Sequence, residues 1–320
     1  SKETIEGIET GAVDMVIGTH RLLSGNVKFR NLGLIIIDEE QRFGVEHKEK
    51  LKDLKHNVDV LSMSATPIPR TLEMAVTGIR EMSTLATPPE DRHPILTYVG
   101  GYSEKQVAAA IRRELIREGQ VFFVHNRVET IDKCAADLAE LVPEARIEIA
   151  HGQMRERQLE QVMSDFYHQR FNVLVCTTII ETGIDIPSAN TILIERADKF
   201  GLAQLHQLRG RVGRGTQSSH CVLLYSAPLS GNGAARLKIM RETNDGFKIA
   251  EKDLEIRGPG EVLGTRQTGD MQFRIADLQR DAHLLPEVKR MAIMLLQDYT
   301  DNVDPLIGRW LGHSEQYGQA

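Results

Sequence analysis

Four short stretches of this 320-residue sequence combine residue types that phosphate chemistry uses. Leu32–Ile37 runs directly into Asp38-Glu39-Glu40-Gln41. At the carboxyl end of a strand in an open parallel sheet, one carboxylate can hold a Mg²⁺ ion on a nucleotide (Asp38). The next can orient or deprotonate an attacking water (Glu39). An acidic turn after a strand is also common without any such role. Val60–Met63 leads into Ser64-Ala65-Thr66-Pro67. These small hydroxyl residues suit a hydrogen-bond relay from a nucleotide to a neighbouring domain, or an ordinary turn closed by Pro67. Asn172–Cys176 ends in Thr177-Thr178 and continues through Glu181-Thr182-Gly183-Ile184-Asp185. Hydroxyls and backbone amides there, Gly183 included, suit phosphate contact, and Asp185 suits a sugar hydroxyl.

The fourth stretch is Gln204-Leu205-His206-Gln207-Leu208-Arg209-Gly210-Arg211-Val212-Gly213-Arg214. On a helix, Gln207, Arg211 and Arg214 fall at i, i+4 and i+7 and share one face. Guanidinium groups on that stripe could reach a γ-phosphate and stabilise the charge of its transfer. A solvated arginine face is the plainer alternative. The stretch lies in the one anomalous region of the charge map. From Lys199 to Arg241 there is no Asp or Glu, although the chain has 45 of them. Seven cations fill that region: Lys199, Arg209, Arg211, Arg214, Arg236, Lys238 and Arg241. Against a net charge of −6, this points to a local anion site rather than a uniformly basic nucleic-acid binder.

Positioning these residues takes strands buried on both faces. Near-continuous apolar runs occur at Val13–Ile17, Leu32–Ile37, Val58–Met63, Val121–Val124, Arg146–Ala150, Asn172–Cys176, Thr191–Ile194 and Cys221–Leu224. Helical patterns alternate with them at Glu104–Arg117, Glu129–Leu141 and Gln158–Tyr167, the first opening on a capping box of Ser103 with Gln106. Strand–helix alternation predicts an α/β fold with parallel sheets. Three prolines in 88–94 mark a linker. Past Tyr225 the strand rhythm stops, and residues 236–320 read as helices and Gly-rich turns, with a helix over Glu287–Gln297.

The length fits about two domains. The 41% apolar and 26% charged content excludes disorder as the main state. No apolar run approaches a bilayer span, and the polar start is no secretory signal. Cys134, Cys176 and Cys221 lie far apart, without the spacing of a zinc motif or a disulfide framework, which suits a reducing compartment.

In this order, the four motifs resemble the superfamily-two helicase core, two RecA-like domains that hydrolyse ATP in the cleft between them. The resemblance covers essentially the whole chain and is strongest to the bacterial double-stranded DNA translocases. Val16–Leu23, Asp38–Gly44 and Ser64–Leu72 resemble both the transcription-repair coupling factor (Mfd) family and the branch-migration helicase (RecG) family, and residues 1 to about 213 resemble Mfd, notably through Glu90–Gly100 and Gly152–Asp185. From about Gly215 onward, through Ser219–Tyr225 and Asn244–Phe247, the likeness is to the branch-migration helicase (RecG) family, as in a hybrid joined near the arginine motif. The resemblance implies that His20, Thr66, His151, Gly152 and Thr177 lie towards DNA and that Gln207, Arg211 and Arg214 face ATP. Asp253–Gly260 and Gly264–Gly269 resemble the translocation motif, in which a helical hairpin and loop couple domain closure to stepping. Arg236, Arg257 and Gln267 are its matching positions.

The implied organisation has four parts. Residues 1–90 form the latter part of a first RecA-like domain, and 93–226 form the second. Residues 227–275 form the translocation motif, and 276–320 a helical tail. ATP and Mg²⁺ are the implied cofactors, and duplex or branched DNA the implied partner of a monomeric bacterial cytoplasmic protein. RNA polymerase partners the coupling factors, but their polymerase-binding domain is not in this sequence. No Gly-x-x-x-x-Gly-Lys-Ser/Thr loop occurs, nor any Gly-Lys pair, so these residues alone are expected to lack ATPase activity. A non-catalytic DNA-binding module and a superfamily-two RNA helicase remain as alternatives.

Overall fold

A computed structural model describes residues 2–39, 43, 47, 50–51, 58–65, 82–85, 87, 93–178, 185–215, 217–257 and 280–311. The chain forms two compact units, 1–67 and 68–320. In the first, helix α1 (Lys2–Thr10) ends at Gly11, whose φ of +77° suits a residue without a side chain. Arg30 Nη1 then donates to the exposed Thr10 carbonyl at 2.5 Å. Two strands, β1 (Leu34–Asp38) and β2 (Asp59–Met63), pair in parallel from Leu34↔Asp59 to Asp38↔Met63. This register puts the acidic turn beside the Ser64-Ala65 strand end. Val13–Ile17, expected to be a strand, is not one. It has no ladder partner among the described residues, its start is tied back to α1 through the Gly7 carbonyl, and Ile17 is 91% exposed.

The second unit contains a six-stranded all-parallel sheet in the order β3-β8-β7-β4-β6-β5. Its strands are β3 (Leu96–Gly101), β4 (Gln120–Val124), β5 (Ile147–Ala150), β6 (Val173–Cys176), β7 (Ala189–Ile194) and β8 (His220–Tyr225). The connecting helices are α2 (Glu104–Ile116), α3 (Val128–Leu141), α4 (Glu156–Tyr167) and α5 (Leu202–Arg209). Both faces are covered, which explains the unbroken apolar runs. On β4, Phe122 and Val124 join one core with Leu202, Leu205 and Leu208 of α5. Val121 and Phe123 join the other with Val107 and Ile111 of α2 and Ile131 and Leu138 of α3.

Strand β3 carried no sequence expectation. It is an edge strand paired only to β8. Its Gly100-Gly101 end and the prolines before it break the apolar pattern. The proposed capping box also fails. Ser103 makes no side-chain cap bond, and the Gln106 amide donates instead to the Tyr98 hydroxyl at 3.0 Å. The expected linker at 87–94 falls largely outside the described residues.

After β8 every described element is helical: α6 (Gly231–Glu242), α7 (Gly246–Arg257), α8 (Leu285–Asp298) and α9 (Val303–Leu311). Helices α5, α6 and α7 pack against one another.

Candidate active site and nucleic-acid interface

Asp38 closes β1, and Glu39 follows it with a left-handed φ of 53°. For a residue with a side chain this backbone costs about 1 kcal/mol or more. Two hydrogen bonds hold it there. The Glu39 N–H donates to the Met63 carbonyl at 3.0 Å, and the Ala65 N–H donates to Glu39 Oε1 at 3.0 Å. The acidic turn is thereby fastened to the hydroxyl-rich turn at backbone level. His20 lies in a short 3₁₀ turn (His20–Leu23), its ring edge-on to His47 with centroids 5.0 Å apart. Thr66 is outside the described residues.

In the second unit, the Ala150↔Cys176 pairing sets His151, Gly152 and Thr177 side by side at the carboxyl ends of β5 and β6. The Thr177 N–H donates to the Ala150 carbonyl at 3.2 Å. His151 Nδ1 is buried and makes no hydrogen bond to the described residues. A side chain at Gly152 would point into open space.

The arginine motif differs from its expected helical stripe. Helix α5 stops at Arg209, so Gln207 is helical while Arg211 and Arg214 lie beyond the helix and share no helical face with it. Gly210 caps the helix, and Gly213 at φ +83° turns the chain away. On the other side of Arg214, a Cβ on Gly215 would lie 2.6 Å from the Pro187 carbonyl oxygen. The segment around Asp185 and the one around Arg214 therefore approach closely. Arg214 Nη1 sits 3.5 Å from Asp185 Oδ1. Gly183 lies outside the described residues.

Arg209 was read from sequence only as part of a basic region, yet its side chain is 1% exposed. Its Nη1 donates to the carbonyls of Met240 at 2.8 Å and Thr243 at 2.9 Å, at the last turn of α6. Guanidinium donors at a helix carboxyl end satisfy carbonyls the helix cannot and complement its dipole. Midway along α6, Arg236 donates through Nη1 to the Phe200 carbonyl (2.8 Å) and through Nη2 to that of Asp198 (3.1 Å). Helix α6 is thus bound at its middle to the turn before α5 and at its carboxyl end to α5 itself. A sequence signal for Arg209 existed in its i+3 spacing from His206, whose Nδ1 lies 3.2 Å from Arg209 Nη2. Arg257 ends α7, and Gln267 is outside the described residues.

Three family models match the chain. "DEAD/DEAH box helicase" matches residues 1–75, "Helicase conserved C-terminal domain" matches 106–216, and "ATP-dependent DNA helicase RecG, domain 3, C-terminal" matches 243–307. The transcription-repair-coupling factor of Escherichia coli strain K12 is 58% identical over 270 residues, and that of Mycobacterium bovis is 58% identical over 274. The chain resembles the superfamily-two DNA translocases of the Mfd and RecG type. The structure of RecG bound to a three-way DNA junction superposes with a TM-score of 0.66 at 39% identity, covering 89% of this chain and 37% of that one. Mycobacterium smegmatis Lhr (TM-score 0.55, 16% identity, 71% of this chain and 33% of that one) shares the fold. Because the M. bovis match covers 84% of this chain, the Mfd likeness runs past residue 213 and overlaps the RecG-like stretch. The chain spans 22% of the M. bovis coupling factor and 24% of the E. coli one, within the motor region of the family.

Proposed function

We propose that this chain is part of the motor of an ATP-dependent double-stranded DNA translocase of DNA repair and recombination. Asp38 holds the Mg²⁺ of bound MgATP, and Glu39 positions the water that attacks the γ-phosphate. Asp185 takes the ribose, while Gln207, Arg211 and Arg214 stabilise charge on the transferring phosphoryl group. The site needs no covalent intermediate, since positioning and electrostatics carry phosphoryl transfer. His20, Thr66, His151, Gly152 and Thr177 meet the DNA backbone, with His151 Nδ1 available to a phosphate-bound water or sugar hydroxyl. Arg236, Arg257 and Gln267 couple closure of the two RecA-like domains to stepping along duplex DNA. The domain limits are 1–90, 93–226, 227–275 and 276–320.

The observation that carries this assignment is the Arg214–Asp185 pair, framed by Gly213 and Gly215. Two residues assigned separately to one nucleotide meet in space, and the absence of a side chain at Gly215 permits the close approach of the two segments. The test joins this chain to a Walker A-bearing half-domain from a coupling factor and follows ATP-driven displacement of a third strand from duplex DNA. Displacement is expected, with Gln267→Ala hydrolysing ATP but displacing nothing. Displacement without ATP, or a Gln267→Ala protein that still displaces the strand, overturns the proposal. Competition by duplex DNA but not by single-stranded RNA is expected; the reverse would favour an RNA helicase.

A further inference from the structure

Outside the four stretches described above, three side chains of metal-ligating types converge at the carboxyl ends of the two central strands of the large sheet. His125 follows β4 and Glu195 follows β7, and the Val124↔Ile194 pairing makes these strand ends neighbours. Cys134 comes from α3, which packs over the same strands. One ligand atom from each of the three lies within 4.8 Å of the others. His125 Nδ1 is 2.5 Å from Glu195 Oε2, and its Nε2 is 2.8 Å from the Thr130 hydroxyl. The cluster opens into a cleft of about 430 Å³.

The charge around that cleft selects its occupant. Glu104, Asp137, Glu140 and Glu195 line it against the single cation Lys133. Such a wall repels the phosphates of nucleotides and DNA and attracts cations.

We propose that His125, Cys134 and Glu195 form a site for a divalent transition-metal ion, Zn²⁺ foremost, whose fourth position faces the cleft and holds water. A nitrogen, a sulfur and an oxygen donor suit zinc, whereas Mg²⁺ and Ca²⁺ prefer oxygen ligands throughout. Ligand distances of about 2.0–2.3 Å ask the side chains to draw in by about an ångström; the His125–Glu195 contact opens as the metal replaces the shared proton, and the Cys134 thiol gives up its own, both protons passing to solvent. The site is independent of the ATP and DNA assignments above. Its bland competitor is a histidine–glutamate pair beside an inert thiol.

The other two cysteines provide an internal control, since Cys176 and Cys221 are fully buried in β6 and β8. The full chain is titrated with Co²⁺ alone and followed by visible absorption. One equivalent is expected to give ligand-field bands with a thiolate-to-cobalt charge-transfer band, displaced by Zn²⁺ and untouched by excess Mg²⁺. Cys134→Ser should abolish the charge-transfer band, and Glu195→Gln should weaken Zn²⁺ binding at least tenfold. A second readout covers variants that fail to fold: one equivalent of Zn²⁺ should protect Cys134 of the wild-type chain from alkylation, as located by peptide mapping. Absence of the charge-transfer band from wild-type protein, its persistence in folded Cys134→Ser, or unprotected Cys134 under saturating Zn²⁺ would each overturn the site.

Discussion

Arg209 and Arg214 stand five residues apart and do opposite work. Arg209 is sealed in the interior, where its guanidinium serves two carbonyls of α6. Replacing it with leucine strands both acceptors in a dry environment, so Arg209→Leu should lose about 2–4 kcal/mol of stability by denaturant titration. Arg214 is exposed, and among the described residues its ion-pair partner is Asp185, at the longer distance of 3.5 Å. A guanidinium so placed is free to exchange a carboxylate for a phosphate. In a chain joined to its Walker A half, Arg214→Ala should lower turnover about a thousandfold or more, with little change in nucleotide affinity. Glu39→Gln keeps the oxygen that accepts from Ala65 but removes the base, so it should bind ATP normally and turn over about 10²–10⁴ times more slowly. The sequence separated the chemical types of these residues but not their burial. Nothing in the string Leu-Arg-Gly-Arg-Val-Gly-Arg tells the buried Arg209 from the exposed Arg214 until the helix carrying the first has stopped.

At the scale of elements, the apolar runs were legible as strands; β4, β6 and β7 are buried on both faces as expected, whereas β1 and β2 leave Leu34, Ile36, Leu61 and Met63 exposed. Seven of the eight expected runs matched strands of the structure; Val13–Ile17, without a ladder partner, did not, and edge strand β3 was overlooked. Helix α5 was the costlier misjudgement. Its periodicity continues on paper to Arg214, but Gly210 and Gly213 end it, and backbone conformation outweighed side-chain spacing. Gly215→Ala should therefore push the Pro187 segment away and weaken the Arg214–Asp185 pair, raising the ATP concentration needed for half-maximal turnover by the chain joined to a Walker A-bearing half-domain. At the start of β8, burial and the neighbouring Arg117 and Arg113 guanidiniums hold the His220 imidazole below its ordinary value of 6.5, with Glu114 opposing them. The unfolded chain then binds the proton more readily, so the contribution of His220 is fully present above pH 6.5 and is lost as pH falls below it. Thermal melts of His220→Gln should lose that part of the acid sensitivity and match wild type above neutrality.

For the whole molecule, the two units each hold half of the proposed chemistry. The acidic turn and His20 belong to residues 1–67, and the arginine motif, His151 and the α6–α7 helices belong to 68–320. Within the 320 residues no glycine-lysine step supplies the amide nest and ammonium that cradle a triphosphate. The purified chain is accordingly expected to show no DNA-stimulated ATP turnover on its own, while its second unit still binds duplex DNA with an affinity that falls steeply as salt rises. If Asp38 and Arg214 serve one triphosphate, they act as a unit and their losses do not multiply. The deciding measurement is DNA-stimulated ATP turnover by the chain joined to a Walker A-bearing half-domain, as wild type, Asp38→Asn, Arg214→Ala and the double variant. Each single change should cost about a thousandfold or more, and the double variant should be no slower than the worse single one. Wild-type turnover in either single variant, or a double variant whose loss is the product of the two, would contradict a shared pocket.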